Sequence, residues 1–380
     1  MQGKEERNMN ICECNIPRYP ISKPDIMPFM TLSDRFYETP GKDGITPRQL
    51  IKAYGLPIKK YDKKLKIAMI EAFGNETLGD DLDVFCDFFG IRKNTVNIHF
   101  PSGRNAKSND EWIAESSLDV QWVNALCPEQ ELHAVFSYDG SFERMYEAVR
   151  YASEEIRADI VLMCFGTGEF LSQGEISAYF KNSGSVFVSA AGDTGGNVFF
   201  PASSSGVISV GGSTCEMSAD GRMITRQRVW RYGGGGKSRY EQIPYFQKAF
   251  SPIESMSEGF RALPDVCFYA ETNPGAFVYI SKPSYDRDVT GGWTTSGGTS
   301  LAASCMCALC AHILLSEPLG LEKNRLLPYL YACAGASFYN EPQYCFDDVK
   351  TGSNGKYSAK IGWDFCTGLG SPVARQLILG

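Results

Sequence analysis

Between Lys66 and Ala191 short apolar runs alternate with amphipathic stretches of helical length, and no other feature of the chain limits its possible folds as much. The apolar runs, at 67–72, 95–100, 132–137, 160–165 and 186–191, have the length of strands. Helical patterns fill the intervals at 78–89, 111–126, 142–156 and 174–182. Buried strands joined through amphipathic helices form an α/β fold, a mostly parallel sheet with helices on both faces. Ligand sites in such sheets lie at the carboxyl ends of the strands, in loops that lead into helices.

Flanking segments are less regular. Thr46-Pro47 reads as a helix start, with Thr as the cap and Pro at the first position. Residues 1–45, rich in Pro, Asp and Lys, read as an extension that lies on a surface or stays loose. Further strands are expected at 207–212 and Ala276–Ile280. The run Gly233 to Gly236 reads either as a flexible loop or as a strand edge open to a substrate backbone. No repeat or break in composition divides 46–380, which is expected to form one domain.

With 37 basic against 44 acidic residues and no long basic run, the chain has no electrostatic footprint for nucleic acid. Residues 1–30 lack the apolar core of a secretory signal, and no later stretch reaches the roughly 18 apolar residues of a membrane span. Thirteen scattered cysteines, an odd number, point to reduced thiols and a cytoplasmic location, with a Cys345–Cys366 pairing left open. Cys12 with Cys14, and Cys305 with Cys307 and Cys310, read as structural thiols because no set of further ligands accompanies them.

The chemistry centres on 291–304, Gly-Gly-Trp-Thr-Thr-Ser-Gly-Gly-Thr-Ser-Leu-Ala-Ala-Ser, which reads as a tight loop delivering Ser300 to the start of an apolar helix. Ser300 is either a helix cap or a nucleophile placed where a helix N-terminus favours negative charge. A nucleophile needs a base, and the three histidines are poorly placed. His133 falls within a strand, His312 lies about three turns into the helix, and only His99 ends near a strand-to-helix loop. Acids offer a better set. Glu115 and Asp119 lie one helical turn apart beside the apolar residues Leu118, Trp122 and Leu126, so that face is expected to point inward. Asp193, in Ala-Gly-Asp-Thr-Gly after the run 186–191, stands at a strand's carboxyl end, as a turn former or as a site residue.

In this order the motifs resemble the sedolisin family of serine-carboxyl peptidases, from about Thr46 to Pro372. Glu115-Ser-Ser-Leu-Asp119 is similar to the family's Glu-x3-Asp helix, Ala191-Gly-Asp193-Thr-Gly to its oxyanion turn, and Ser296-Gly-Gly-Thr-Ser300-Leu-Ala-Ala to its nucleophile motif. Phe200-Pro-Ala-Ser-Ser, Val210-Gly-Gly, Gly234-Gly-Gly and Pro264-Asp265-Val resemble its recurring core segments. The resemblance implies a subtilisin-like three-layer fold and a monomer that hydrolyses peptides or proteins. Ser300 would be the nucleophile, Glu115 the base, Asp119 its partner and Asp193 the oxyanion donor. Cys164, Phe165, Gly166, Gly234 and Gly235 would bind substrate. It also implies one structural Ca²⁺, held by the side chains of Asp348 and Asp364 and the carbonyls of Val349, Lys360 and Gly362.

Two positions depart from the family pattern: Cys164-Phe165-Gly166 replaces the usual Ser-Trp-Gly, and Lys360 stands where Gly is common. Family members usually carry a large N-terminal prosegment, whereas some 45 residues precede the catalytic region here, so activation is expected to be handled differently or to be unnecessary. A carboxyl oxyanion donor must be protonated, so activity is expected to favour acid pH.

Overall fold

The computed structural model describes residues 26–379 except 34, 42–43, 224, 285–289, 317–318 and 338–344. Cys12 and Cys14 lie outside the described residues.

An eight-stranded sheet runs in the order Arg228–Val229, Val207–Thr214, Val186–Ala190, Ile160–Met163, Lys66–Ala72, Glu131–Ser137, Val96–His99, with Val266–Tyr269 pairing alongside Val207–Thr214. All pairings are parallel except that of Arg228–Val229. Lys66–Ala72 lies in the middle, and the chain then builds outward on both sides of it, which opens a crevice at the carboxyl ends of the central strands.

The period of two in Lys66–Ala72 sorts the layers. Ile67 and Met69 face the helices Leu78–Phe89, Asp110–Leu126 and Thr299–Leu314, while Ala68, Ile70 and Ala72 face Phe142–Glu154 and Gln173–Asn182. This is the expected three-layer subtilisin-like arrangement. Thr46 caps Pro47–Tyr54 in a reciprocal capping box with Gln49, as the Thr-Pro signal implied. No disulfide forms among the described cysteines, so Cys345 and Cys366 are not bridged to each other. Cys305, Cys307 and Cys310 are wholly buried packing residues. Among the described residues no helix is long and apolar enough to cross a membrane.

Three expectations are corrected. Within 291–304, the part before the serine is not a loop: Gly292–Gly297 is a strand between Ala276–Ile280 and Thr31–Leu32, where Trp293, Thr294 and Thr295 supply the β-forming residues among the glycines. The run 160–165 breaks at Cys164, after which Phe165–Gly168 leaves the main sheet and pairs with Met27–Pro28 and Phe199–Phe200. Residues 26–33, expected to lie loose or on the surface, are instead threaded through the molecule, with Ile26 and Phe29 buried, because two strand edges are free to pair with them.

Candidate active site

Ser300 is the second residue of the helix Thr299–Leu314, and the cap is Gly298, not Ser300. Gly298 has φ 103°, and a Cβ there would lie 2.3 Å from Asp193 Oδ2 and 2.8 Å from the Phe29 carbonyl oxygen. Only glycine admits both groups so close to the serine.

The helix Asp110–Leu126, capped by the Asn109 side chain, packs against the serine helix with nearly every residue buried. Glu115 and Asp119 do face inward, and both are fully shielded from solvent. The Asp119 carboxylate accepts a 2.8 Å hydrogen bond from Ser304 Oγ, one turn beyond Ser300. Each helix therefore presents a pair spaced i, i+4, with Glu115 near Ser300 and Asp119 on Ser304. Neither Glu115 oxygen has a hydrogen-bond partner, since the Ser300 hydroxyl donates to the Phe29 carbonyl.

Asp193 sits in the turn after Val186–Ala190. Its Oδ1 accepts from Thr299 N–H at 2.9 Å and Thr299 Oγ1 at 2.6 Å, leaving Oδ2 buried, unpartnered and directed at the space beside Gly298. Gly192 N–H donates to Thr299 Oγ1, tying the turn to the helix start.

The cluster holds a fourth carboxyl that motif reading missed. Glu71 follows Ile67 and Met69 on the face toward the acidic helix, is fully buried, and meets the Asp119 carboxyl. Its signal was available, as the one charged residue in the otherwise apolar run 67–72. Ser304 carried a weaker signal in its i, i+4 spacing from Ser300. Cys164 completes the group: its thiol and the carboxyls of Glu115 and Asp119 place ligand atoms within 4.8 Å of one another.

Burial dominates the electrostatics. It raises the pKa values of Glu71, Glu115 and Asp119, and mutual repulsion adds to the rise at Glu71 and Glu115. The Ser304 hydroxyl, the Cys164 thiol and Glu71 hold the rise at Asp119 in check. Burial pushes Asp193 up to about 7, against the opposing bonds from Thr299. Carboxyls this close and this dry share protons as a unit.

No histidine joins them. His99, on the edge strand, contacts His133 at 2.9 Å and Tyr151 at 3.4 Å, and His312 is held by Tyr61 and the Leu126 carbonyl. Of the expected substrate residues, Cys164, Phe165 and Gly166 meet residues 27–29 of the same chain. The Cys164 carbonyl accepts from Phe29 N–H at 2.9 Å, and Gly166 lies under the Phe29 ring. Gly234 and Gly235, the other two expected substrate residues, are packed closely against backbone. A Cβ at Gly234 would meet the Ala191 carbonyl oxygen at 2.1 Å, and one at Gly235 the Phe365 carbonyl oxygen at 2.0 Å, so neither position admits a side chain.

Among the expected calcium residues, backbone amides tie Gly362 to Asp348 and Lys360 to Asp364. Gly362 N–H donates to Asp348 Oδ2 at 2.9 Å and Lys360 N–H to Asp364 Oδ2 at 3.0 Å, while Asp364 Oδ1 accepts from the Cys366 and Thr367 amides. Burial raises the pKa of both acids. Both Oδ2 atoms accept backbone amides here, and two partly desolvated carboxylates on irregular backbone are the type of oxygen donor a hard cation takes.

Fold and site together define a subtilisin-like protein whose serine is surrounded by carboxyls instead of histidine. The sequence profile described as "Subtilase family" matches residues 105–326. Kumamolisin of Bacillus sp. (strain MN-32) is 28% identical over 369 residues, covering 88% of this chain and 63% of that protein. Sedolisin of Pseudomonas sp. (strain 101) is 34% identical over 194 residues, 46% of this chain and 29% of that protein. A solved structure of Pseudomonas sedolisin, complexed with two molecules of pseudo-iodotyrostatin, superposes with a TM-score of 0.75 at 24% identity, covering 89% of this chain and 98% of that one. The chain belongs to the subtilase family, in its sedolisin group. It spans less than two thirds of the length of these two curated relatives.

Proposed function

We propose that this chain is a serine-carboxyl peptidase that hydrolyses peptide or protein substrates through an acyl-enzyme on Ser300. The observation that carries the reading is the convergence at one carbonyl position of the Ser300 amide, the Ser300 hydroxyl and the vacant Asp193 Oδ2, with Glu115 unpartnered behind the hydroxyl. Buried carboxyls gathered beside a serine, with raised pKa values, are the arrangement expected of a functional site.

In this mechanism Ser300 Oγ attacks the substrate carbonyl carbon as Glu115 accepts its proton, and Glu115 returns that proton to the departing amine. Asp119, fixed by Ser304, shares a proton with Glu115 and with Glu71, which keeps the base from carrying an uncompensated charge. Protonated Asp193 donates from Oδ2 to the developing oxyanion alongside the Ser300 amide. Because Asp193 donates only while protonated, activity favours acid pH. Ca²⁺ held by Asp348 and Asp364 with the carbonyls of Val349, Lys360 and Gly362 would rigidify the C-terminal loop. Asp364 and its amide partners fix the backbone of Cys366 and Thr367, next to the Phe365 carbonyl that packs on Gly235.

The test is labelling with a fluorophosphonate probe, with and without a competing peptide aldehyde. Wild type and His99→Ala should label and be protected, and Ser300→Ala should not label. Equal labelling after Ser300→Ala would sink the assignment.

A further inference from the structure

We propose that residues 26–32 of this chain occupy the active-site groove as an intramolecular substrate, with the Phe29–Met30 peptide as the bond to be cleaved, and that the groove is that of an endopeptidase. This deepens the peptidase reading and rests on it.

The segment is held on both sides of Ser300. Before it, Ile26 N–H donates to the Gly140 carbonyl at 2.8 Å, Met27–Pro28 pairs antiparallel with Phe165–Gly168, and Phe29 N–H donates to the Cys164 carbonyl. After it, Thr31–Leu32 pairs antiparallel with Gly292–Gly297, where Ser296 Oγ donates to the Thr31 carbonyl at 3.1 Å, and Ser33 N–H donates to the Thr295 carbonyl. Between these two pairings the Phe29 carbonyl accepts from Ser300 N–H at 3.1 Å and from Ser300 Oγ, and Asp193 Oδ2 lies on the same side, beside Gly298. A strand that merely covered a sheet edge would have no reason to place one carbonyl on both the hydroxyl and the amide of this serine, on the side of a buried carboxyl. Strand addition supplies backbone affinity and pockets supply selection.

Two pockets are filled. The Phe29 ring lies over Gly166, where a Cβ would come within 2.7 Å of it, and meets Phe199 edge-on at 5.0 Å between centroids. Ile26 is buried in the cluster that contains Trp112 and Phe165. Ile26 is the fourth residue before the bond and is gripped by its own amide. A groove that seats a fourth residue is not closed after three, so it accepts the interior of a long chain.

The step balances as peptide hydrolysis. Ser300 Oγ bonds to the Phe29 carbonyl carbon while its proton passes to Glu115. The bond from that carbon to Met30 N breaks, and Met30 N takes the proton. Water then cleaves the Phe29 ester, freeing the Phe29 carboxylate and restoring the Ser300 hydroxyl. The new N-terminal residue is Met30, whose neighbours Thr31 and Leu32 retain their pairing.

The full chain and its Ser300→Ala variant are incubated from about pH 4 to about pH 8, a range that brackets the ionisation of Asp193 in the folded chain, and followed through intact mass and N-terminal sequencing. Hydrolysis of casein and of a synthetic peptide with the sequence of residues 24–33 is measured in parallel. The wild type should convert to a species starting at Met30, with a rate unchanged on dilution, while Ser300→Ala stays whole. The peptide should be cut between its Phe and second Met, and Phe29→Asp should slow the internal cut at least about tenfold, since a charge must enter an apolar pocket. Casein hydrolysis with both the internal bond and the peptide intact overturns this proposal and leaves the peptidase reading standing. Release of the peptide's first three residues alone also overturns it. If casein, chain and peptide all stay intact, the peptidase reading fails and takes this one with it.

Discussion

Asp193→Asn separates the oxyanion role from the rest of the site. The exchange keeps an oxygen in the Oδ1 position, where it accepts from Thr299 N–H and Oγ1, and places an amide NH₂ at Oδ2. Fold and donor are preserved, and titration is removed. Asp193 rises from 3.8 to about 7 on folding, chiefly through burial. The native state therefore binds a proton that the unfolded chain has released between those values. The stability that Asp193 contributes is full below about pH 4 and is lost as pH climbs to about 7, a difference of about 4 kcal/mol. Urea unfolding in a Ser300→Ala background, which prevents self-digestion, should show the Asp193→Asn protein gaining on its parent by that amount between about pH 4 and about pH 8. Rates should follow the same group. Wild-type kcat should fall as pH rises through about 7, and the ratio of Asp193→Asn to wild type should grow about tenfold per pH unit above it. Asp193→Ala, with no donor, should lose about 10²–10³ in kcat at acid pH. Parallel stability curves for the two proteins, or a wild-type rate flat to about pH 9 with Asp193→Ala still active, would refute the reasoning.

Three further outcomes are expected. Glu115→Gln, isosteric and unable to take a proton, should lower kcat by about 10²–10⁴ with KM little changed, measured on a quenched peptide. Gly298→Ala forces a Cβ into Asp193 Oδ2 and a backbone φ of 103° onto an L residue, so the melting temperature should drop by an amount equivalent to about 1–3 kcal/mol, with activity falling further than stability explains. With calcium removed by a chelator, the melting temperature should fall and return on adding Ca²⁺ but not Mg²⁺, and Asp364→Ala should abolish that response; a Tm indifferent to both treatments would remove calcium from the loop.

The alternation of apolar runs and amphipathic stretches was enough to read the sheet and its flanking helices, because those periodicities are local and each segment needs only one face buried. Glu115, Asp119, Asp193 and Ser300 were also legible, since each stands in a short motif at a strand end or on an inward helix face. Other features could not be read from any one segment. The role of Gly292–Gly297 as a strand depends on partners at 31–32 and 276–280, and Glu71 joins the site only because period-two pleating turns it toward a helix some 40 residues on. That the glycines at 234 and 235 must be glycine follows only from the backbone of Ala191 and Phe365, which takes the space that side chains would need. Residues 26–32 carry no motif at all. By itself, then, the sequence determined the layered fold and four members of the site, whereas the fourth carboxyl and the occupant of the groove were decided by tertiary structure. Periodicity reports which face of a segment is buried, but which groups meet across that face depends on packing between residues as distant as Phe29 and Ser300.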